Sequence, residues 1–212
     1  SSGATQDEIR RRNVSTLLRR LHVYGAQSRA QLTESMGLNR STIKALVGEL
    51  TDAGLVTETS PETGLRAGRP SHVVVPRSDT AYVLAANIGV DAVTAAAVGL
   101  GGVIMGRHEY RMSASSTKPD AVARRLAGEF ARLRTKLPTT AWLAGVGVGV
   151  PGAVRTSDGL VEFAPNLVWR SAPFGDLLAE RLDAAVEVRV GNDGDVGGLA
   201  EHVRGSGRGI DN

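Results

Sequence analysis

Residues 28–55, SRAQLTESMGLNRSTIKALVGELTDAGL, constrain the fold more tightly than any other stretch of this chain. Ser28 followed three positions later by Gln31 has the form of a helix capping box. Gly37 supplies a stop, and Asn39 reads as the N-cap of a following helix. From there Ile43, Leu46, Val47 and Leu50 recur at helical spacing, which turns Arg40, Ser41, Lys44 and Ala45 outward. Gly54 closes that helix. Two short helices joined by a glycine-containing turn, the second carrying cationic and hydroxyl side chains on its first turns, form the arrangement that lays a helix in the DNA major groove.

The flanking sequence extends this pattern. Asp7 to Tyr24 reads as an earlier helix, with Val14, Leu17, Leu18 and Leu21 on one face and arginines on the others. After Gly54, a strand-like run at 55–59 and another at 71–76 bracket the turn-rich SPETGLRAGRP, which gives a wing. Three helices plus a wing predict a winged helix-turn-helix domain over residues 1–76. Its expected DNA contacts are Asn39, Arg40, Ser41, Thr42 and Lys44 on the third helix and Arg66 and Arg69 on the wing. Arginine and lysine can donate to guanine edges, and hydroxyls can serve bases or phosphates. Pro70 holds Arg69 extended, a shape suited to a narrow minor groove. Charge falls where this needs it. Residues 1–75 hold 10 Lys+Arg against 7 Asp+Glu, which is the whole of the net +3, and the remainder is neutral.

From Tyr82 the pattern changes to β/α. Strands are expected at 82–88, 93–98, 103–110, 142–150, 160–163 and 186–190, and helices at 118–137, 173–182 and 193–203. Three consecutive strands followed by alternating helix and strand predict an α/β domain with a mixed sheet over 77–212. With no cysteine there is no disulfide framework or thiolate metal site in the sequence. No run approaches a membrane-spanning length, and the first residues lack the apolar core of a secretion signal. A cytoplasmic, nucleoid-associated protein without cofactor or metal is the expectation.

Three segments of the second domain carry further information: the Gly-rich GVGVGVPG at 145–152, APNLVW at 164–169, and NDGDVGGLAE at 192–201. Together with the winged-helix pattern and its Gly-Arg-Pro wing, their order resembles the repressor branch of the ROK family of repressors and sugar kinases. The resemblance implies an actin-like, ribonuclease-H-like fold of the ASKHA class, present here as its N-terminal lobe only. It also implies a sugar site: Asn166 and Asn192 bonding sugar hydroxyls, Asp193 at the kinases' catalytic-base position, and Gly149 and Gly152 admitting the ring to the backbone. The expectation is a domain truncated within the ROK region, because the chain stops at Asn212 before the motifs of the family's second lobe.

One departure separates this chain from the kinases. Where they hold Mg²⁺ and phosphate with an Asp-x-Gly-x-Thr hairpin, this chain has Asn87-Ile88-Gly89-Val90-Asp91. An amide replaces the carboxylate, and an acid stands where a phosphate-binding hydroxyl belongs. Mg²⁺ favours carboxylate and phosphate oxygens. The expected function is therefore a non-enzymatic transcriptional repressor of carbohydrate genes. It would bind a palindromic double-stranded operator as a homodimer or higher oligomer and respond to a sugar or sugar-phosphate effector. The alternatives are a sugar kinase with an accessory DNA-binding domain, and a DNA-binding protein whose second domain only dimerises.

Overall fold

The structure, a computed structural model, describes residues 5–60, 72–112, 117–182 and 186–204. It divides into two compact units: residues 1–80 with 100–102, and residues 81–99 with 103–212.

The first unit holds helices α1 (Gln6–Tyr24), α2 (Arg29–Met36) and α3 (Arg40–Asp52), and strands β1 (Gln27–Ser28), β2 (Val56–Thr59) and β3 (Val73–Pro76). Capping sets the helix starts. Thr5 and Glu8 form a reciprocal box at α1, Ser28 and Gln31 form another at α2, and Asn39 caps α3. Gly37 ends α2 at φ 64°, a left-handed conformation that glycine adopts without a Cβ clash. Leu17, Leu21, Leu32, Ile43, Leu46, Val47, Leu50, Val56 and Val74 make one core. Burying each such aliphatic side chain contributes about 1.5–3 kcal/mol. The three strands pair antiparallel in the order β1-β3-β2, and Arg29 of α2 forms a two-point ion pair with Glu58 of β2. Strand β1 is absent from the sequence expectation, because two residues carry no periodicity.

The second unit begins with an antiparallel meander of β4 (Ala81–Ile88), β5 (Ala92–Gly99) and β6 (Ile104–Arg111), followed by α4 (Pro119–Arg134). Then come β7 (Trp142–Val150), β8 (Ala153–Arg155), β9 (Leu160–Ala164), a 3₁₀ turn (Pro165–Leu167), β10 (Trp169–Ala172), α5 (Phe174–Ala179), β11 (Val188–Asn192) and α6 (Asp193–Arg204). The main sheet has the order β11-β7-β4-β5-β6, with β7 parallel to both β4 and β11. Counted from β4, that is strand order 3-2-1-4-5 read from β6, a mixed sheet. β8, β9 and β10 form a separate antiparallel sheet.

Alternation along the strands decides which face is covered. Val146, Val148 and Val150 of β7 and Val93, Ala95 and Ala97 of β5 point into the core. Helix α4 lays Val122, Ala123, Leu126, Phe130 and Leu133 onto that core and packs on β5 and β6. Its buried stripe also contains Glu129, whose Oε2 lies 2.9 Å from Nδ1 of His108 on β6. Helix α4 ends at Arg134, short of the expected 137, because Pro138 follows and the last residues close as turns. The expected strand 186–190 is displaced to 188–192. Strands β8 and β10 lie outside the expectation because each is too short to alternate. Among the described residues no helix is long and apolar enough to cross a membrane.

Candidate functional site

Two groups of residues, one in each unit, are candidates. In the first unit the outward face of α3 presents Arg40, Ser41, Lys44 and Ala45, all exposed, while Ile43, Leu46, Val47 and Leu50 anchor the opposite face. Asn39 and Ser41 are tied into the helix start. Asn39 Oδ1 accepts from the Thr42 backbone N–H at 2.8 Å and from the Ser41 hydroxyl at 2.7 Å. Their position is thus fixed by the cap, and Ser41 keeps free lone pairs as an acceptor. Thr42 is half-buried. Gly48 continues the outward side with open space where a Cβ would sit. Ser41, Ala45 and Gly48 make that face thin, so a flat surface can approach the helix backbone closely. Arg10 of α1 is drawn off into an ion pair with Glu49 at 2.9 Å. The wing residues Arg66 and Arg69 lie outside the described residues.

In the second unit the carboxyl ends of β4, β7 and β11 converge. Asn87 pairs in register with Gly149, and Gly149 with Gly191. A Cβ on Gly149 would lie 3.0 Å from Asn87 Oδ1 and 3.4–3.5 Å from Asp193 Cα and Cβ, so Gly149 is the gap that lets those two groups close on one another. Asp193 opens α6, and its Oδ1 accepts from the Gly194 backbone N–H at 2.9 Å. Asn192 bridges two backbone segments. Its Nδ2 donates to the Gly152 carbonyl at 2.8 Å, and its Oδ1 accepts from the Asp195 N–H at 3.1 Å. One N–H and one lone pair of that amide remain for a ligand. Gly152 is required by packing: an added Cβ would come within 2.8–2.9 Å of Ala164 and closer still to the Phe163 carbonyl. Asn166 sits exposed on the 3₁₀ turn between buried Ala164 and Leu167.

The structure thus brings Asn87, Gly149, Gly191, Asn192 and Asp193 to one sheet end. Asn166 lies on the turn of the β9–β10 hairpin; Gly152 packs against β9 of that hairpin and its carbonyl accepts from Asn192. Asn87 is absent from the site residues expected from sequence. The parallel pairing of β4 with β7, invisible to local pattern, is what sets it against Gly149. Asn192, expected in a turn, stands on the last position of β11. A cavity of about 830 Å³ in the same unit is lined by Gly147, Gly149 and Gly191 on the strands and by Thr156, Asp158 and Asp176 across from them. Of the residues expected to hold a sugar, Gly149 is the one that lines it among the described residues, while Gly152, Asn166, Asn192 and Asp193 lie outside its lining.

Residues 83–212 match the ROK family. Over 210 residues the chain is 27% identical to the xylose repressor of Bacillus spizizenii, which covers 99% of this chain and 53% of that protein. A ROK family transcriptional regulator, homologous to the E. coli MLC protein, superposes with a TM-score of 0.65 at 23% identity over 92% of this chain and 48% of its own. An inorganic polyphosphate/ATP-glucomannokinase from Arthrobacter sp. strain KM superposes with a TM-score of 0.53 at 31% identity, over 62% of this chain and 52% of its own. The chain spans about half the length of the curated relatives it matches.

Proposed function

The chain belongs to the ROK family, and from that premise we propose that it is a DNA-binding transcriptional regulator, a repressor of carbohydrate-metabolism genes whose operator binding responds to a sugar or sugar derivative. Residues 1–76 are the winged helix-turn-helix domain in this reading, and residues 77–212 the sugar-kinase-like domain. The observation that carries it is the outward face of α3, where Arg40, Ser41 and Lys44 stand exposed on a rigidly capped helix. The extent of the matches points the same way. The family match begins at Val83, while the likeness to the regulator and to the xylose repressor continues through the first unit. The glucomannokinase likeness covers a share close to that of the second unit alone.

Arg40 and Lys44 supply the cationic contacts of α3, base edges for Arg40 and phosphate for Lys44. Arg66 and Arg69 add the wing contact. A homodimer would place one α3 in each half-site, with centres one or two turns apart at about 10 bp per turn. The effector acts through Asn166, Asn192, Asp193, Gly149 and Gly152. To move the protein from 1:99 to 99:1 between DNA-binding and released states, it must favour one state by roughly 10⁴-fold.

The same site argues against phosphoryl transfer. Asn87 offers an amide beside Asp193 where Mg²⁺ and phosphate call for a carboxylate. A coupled assay with ATP and a panel of pentoses and hexoses should give no turnover. Turnover that Asp193→Asn abolishes would establish the kinase alternative instead. For DNA, fragments selected from genomic DNA should bind the wild-type chain and lose affinity with Arg40→Ala. Equal binding by the variant would remove α3 from the interface.

A further inference from the structure

The hairpin that carries Asn166 is built at an unfavourable backbone cost. Strands β9 and β10 pair through Ala164↔Trp169 and Phe163↔Arg170, so Pro165–Val168 is their connecting loop. Val168 donates its backbone N–H to the Pro165 carbonyl at 3.1 Å and adopts φ 59°, ψ 34°. Ser171 follows at φ 47°, and among the described residues these two are the non-glycine residues with positive φ. A left-handed conformation is disfavoured most for a β-branched residue. Val168 gains no packing in return, since its side chain is 89% exposed.

What over-determines this conformation is Trp169, which stands between the two strained residues. It is 2% exposed, its ring stacks on Phe174 at 5.1 Å and 29°, and its Nε1–H donates to the Thr117 carbonyl at 2.6 Å. Leu167, also 2% exposed, fills the core from the other side of Val168. Asn166 lies exposed on the turn, one residue before buried Leu167. The bond to Pro165 closes the turn, but a β-branched residue bears the left-handed conformation there without packing in return, and backbone strain held in this way marks a place where geometry serves binding. A fixed amide binds a hydroxyl without first paying for its own ordering.

We propose that Trp169 is a positioning residue: by stacking on Phe174 and bonding Thr117 it forces the left-handed turn at Val168 and so preorients Asn166 for the effector. This inference rests on the sugar-binding reading of Asn166. Val168→Gly relaxes the turn, because glycine adopts positive φ freely, and it deletes only a solvent-facing side chain. Trp169→Phe keeps the stack and removes the bond to Thr117. The chain has two tryptophans, and Trp142 is 66% exposed, so Trp142→Phe leaves Trp169 as the sole and buried emitter.

The test titrates D-xylose, then a panel of other pentoses and hexoses, into the full chain and these variants. Calorimetry reads binding, fluorescence reads Trp169, and thermal melting reads stability. The expected result is that Trp142→Phe protein changes emission with the calorimetric midpoint. Val168→Gly should bind at least about fivefold more weakly, a loss of roughly 1 kcal/mol, with an unchanged or higher Tm. Trp169→Phe should also bind more weakly. If sugar binds and Asn166→Ala abolishes binding, yet Val168→Gly and Trp169→Phe bind like wild type, the positioning inference fails alone. A Val168→Gly protein that loses Tm and affinity together assigns the turn a merely structural role and overturns it too. If no sugar binds, or Asn166→Ala binds as tightly as wild type, the sugar reading of Asn166 fails and takes the inference with it.

Discussion

An alanine at position 152 should damage the second unit far more than an alanine at position 147, although both glycines belong to one GVGVGVPG run. At Gly152 the new Cβ would lie 2.8 Å from Ala164 Cβ and 2.9 Å from Ala164 Cα, and nearer still to the Phe163 carbonyl oxygen. Two of these three obstacles are backbone, so no rotamer change relieves them. The loop after β7 must lift away from β9. As it lifts, the Gly152 carbonyl leaves Asn192 Nδ2, its 2.8 Å donor. Overpacking of this kind costs about 1–3 kcal/mol, and the lost hydrogen bond about 0.5–1.5 kcal/mol. Together these give roughly 2–4 kcal/mol, a fall in Tm of roughly 10 °C for a unit of this size. At Gly147 nothing lies within 4 Å of the added Cβ, and a substitution without such conflict stays within about 0.5 kcal/mol. Scanning calorimetry of Gly152→Ala, Gly147→Ala and wild type measures both. A Gly152→Ala melt within about 2 °C of wild type would refute the packing argument and the Asn192 bridge that depends on it.

Other outcomes follow from the same geometry. Asn39→Ala removes the acceptor for the Thr42 N–H and the Ser41 hydroxyl and should destabilise the first unit by about 1 kcal/mol, read from the urea midpoint. Lys44→Ala should weaken binding to all DNA sequences alike and reduce the slope of log K against log salt by about 1, whereas Arg40→Ala should relax preference at one base position. Burial pushes the Tyr110 hydroxyl up to about 12, with the Arg125 charge working against the shift and Glu129 for it. The raised value favours the neutral phenol in the fold. Its contribution is complete below the unfolded value of about 10 and is lost as pH rises toward about 12. Urea unfolding across that window should show a decline that Tyr110→Phe lacks.

The elements of the first unit were legible because each is announced locally. Ser28 with Gln31, Gly37 and Asn39 mark helix ends, and Ile43, Leu46, Val47 and Leu50 mark the buried stripe, all within a few residues of one another. The second unit's strands were legible where they alternate or run apolar, as in β5 and β7. What escaped depends on partners distant in sequence. The pairing of β4 with β7 brings Asn87 to Gly149 across some sixty residues, and no local pattern encodes that. Strands β8 and β10 exist because β9 offers them an edge. Glycine spacing identified Gly149 and Gly152 as special without telling their roles apart. Gly149 leaves room for Asn87 and Asp193, while Gly152 admits the β9 backbone. Asn192 read as a turn residue. Its bonds to Gly152 and Asp195 show a bridge whose remaining capacity is half an amide.

The central claim is that one chain couples DNA binding through α3 to a sugar bound in the actin-like domain. It is tested most directly by the affinity for a selected genomic duplex, measured by fluorescence anisotropy with and without saturating sugar, D-xylose first and then other pentoses and hexoses. The account predicts tight binding that Arg40→Ala weakens and that at least one sugar shifts by about tenfold or more, or about 1.4 kcal/mol of coupling. An affinity that no sugar changes, or a chain that selects no DNA at all, would contradict it.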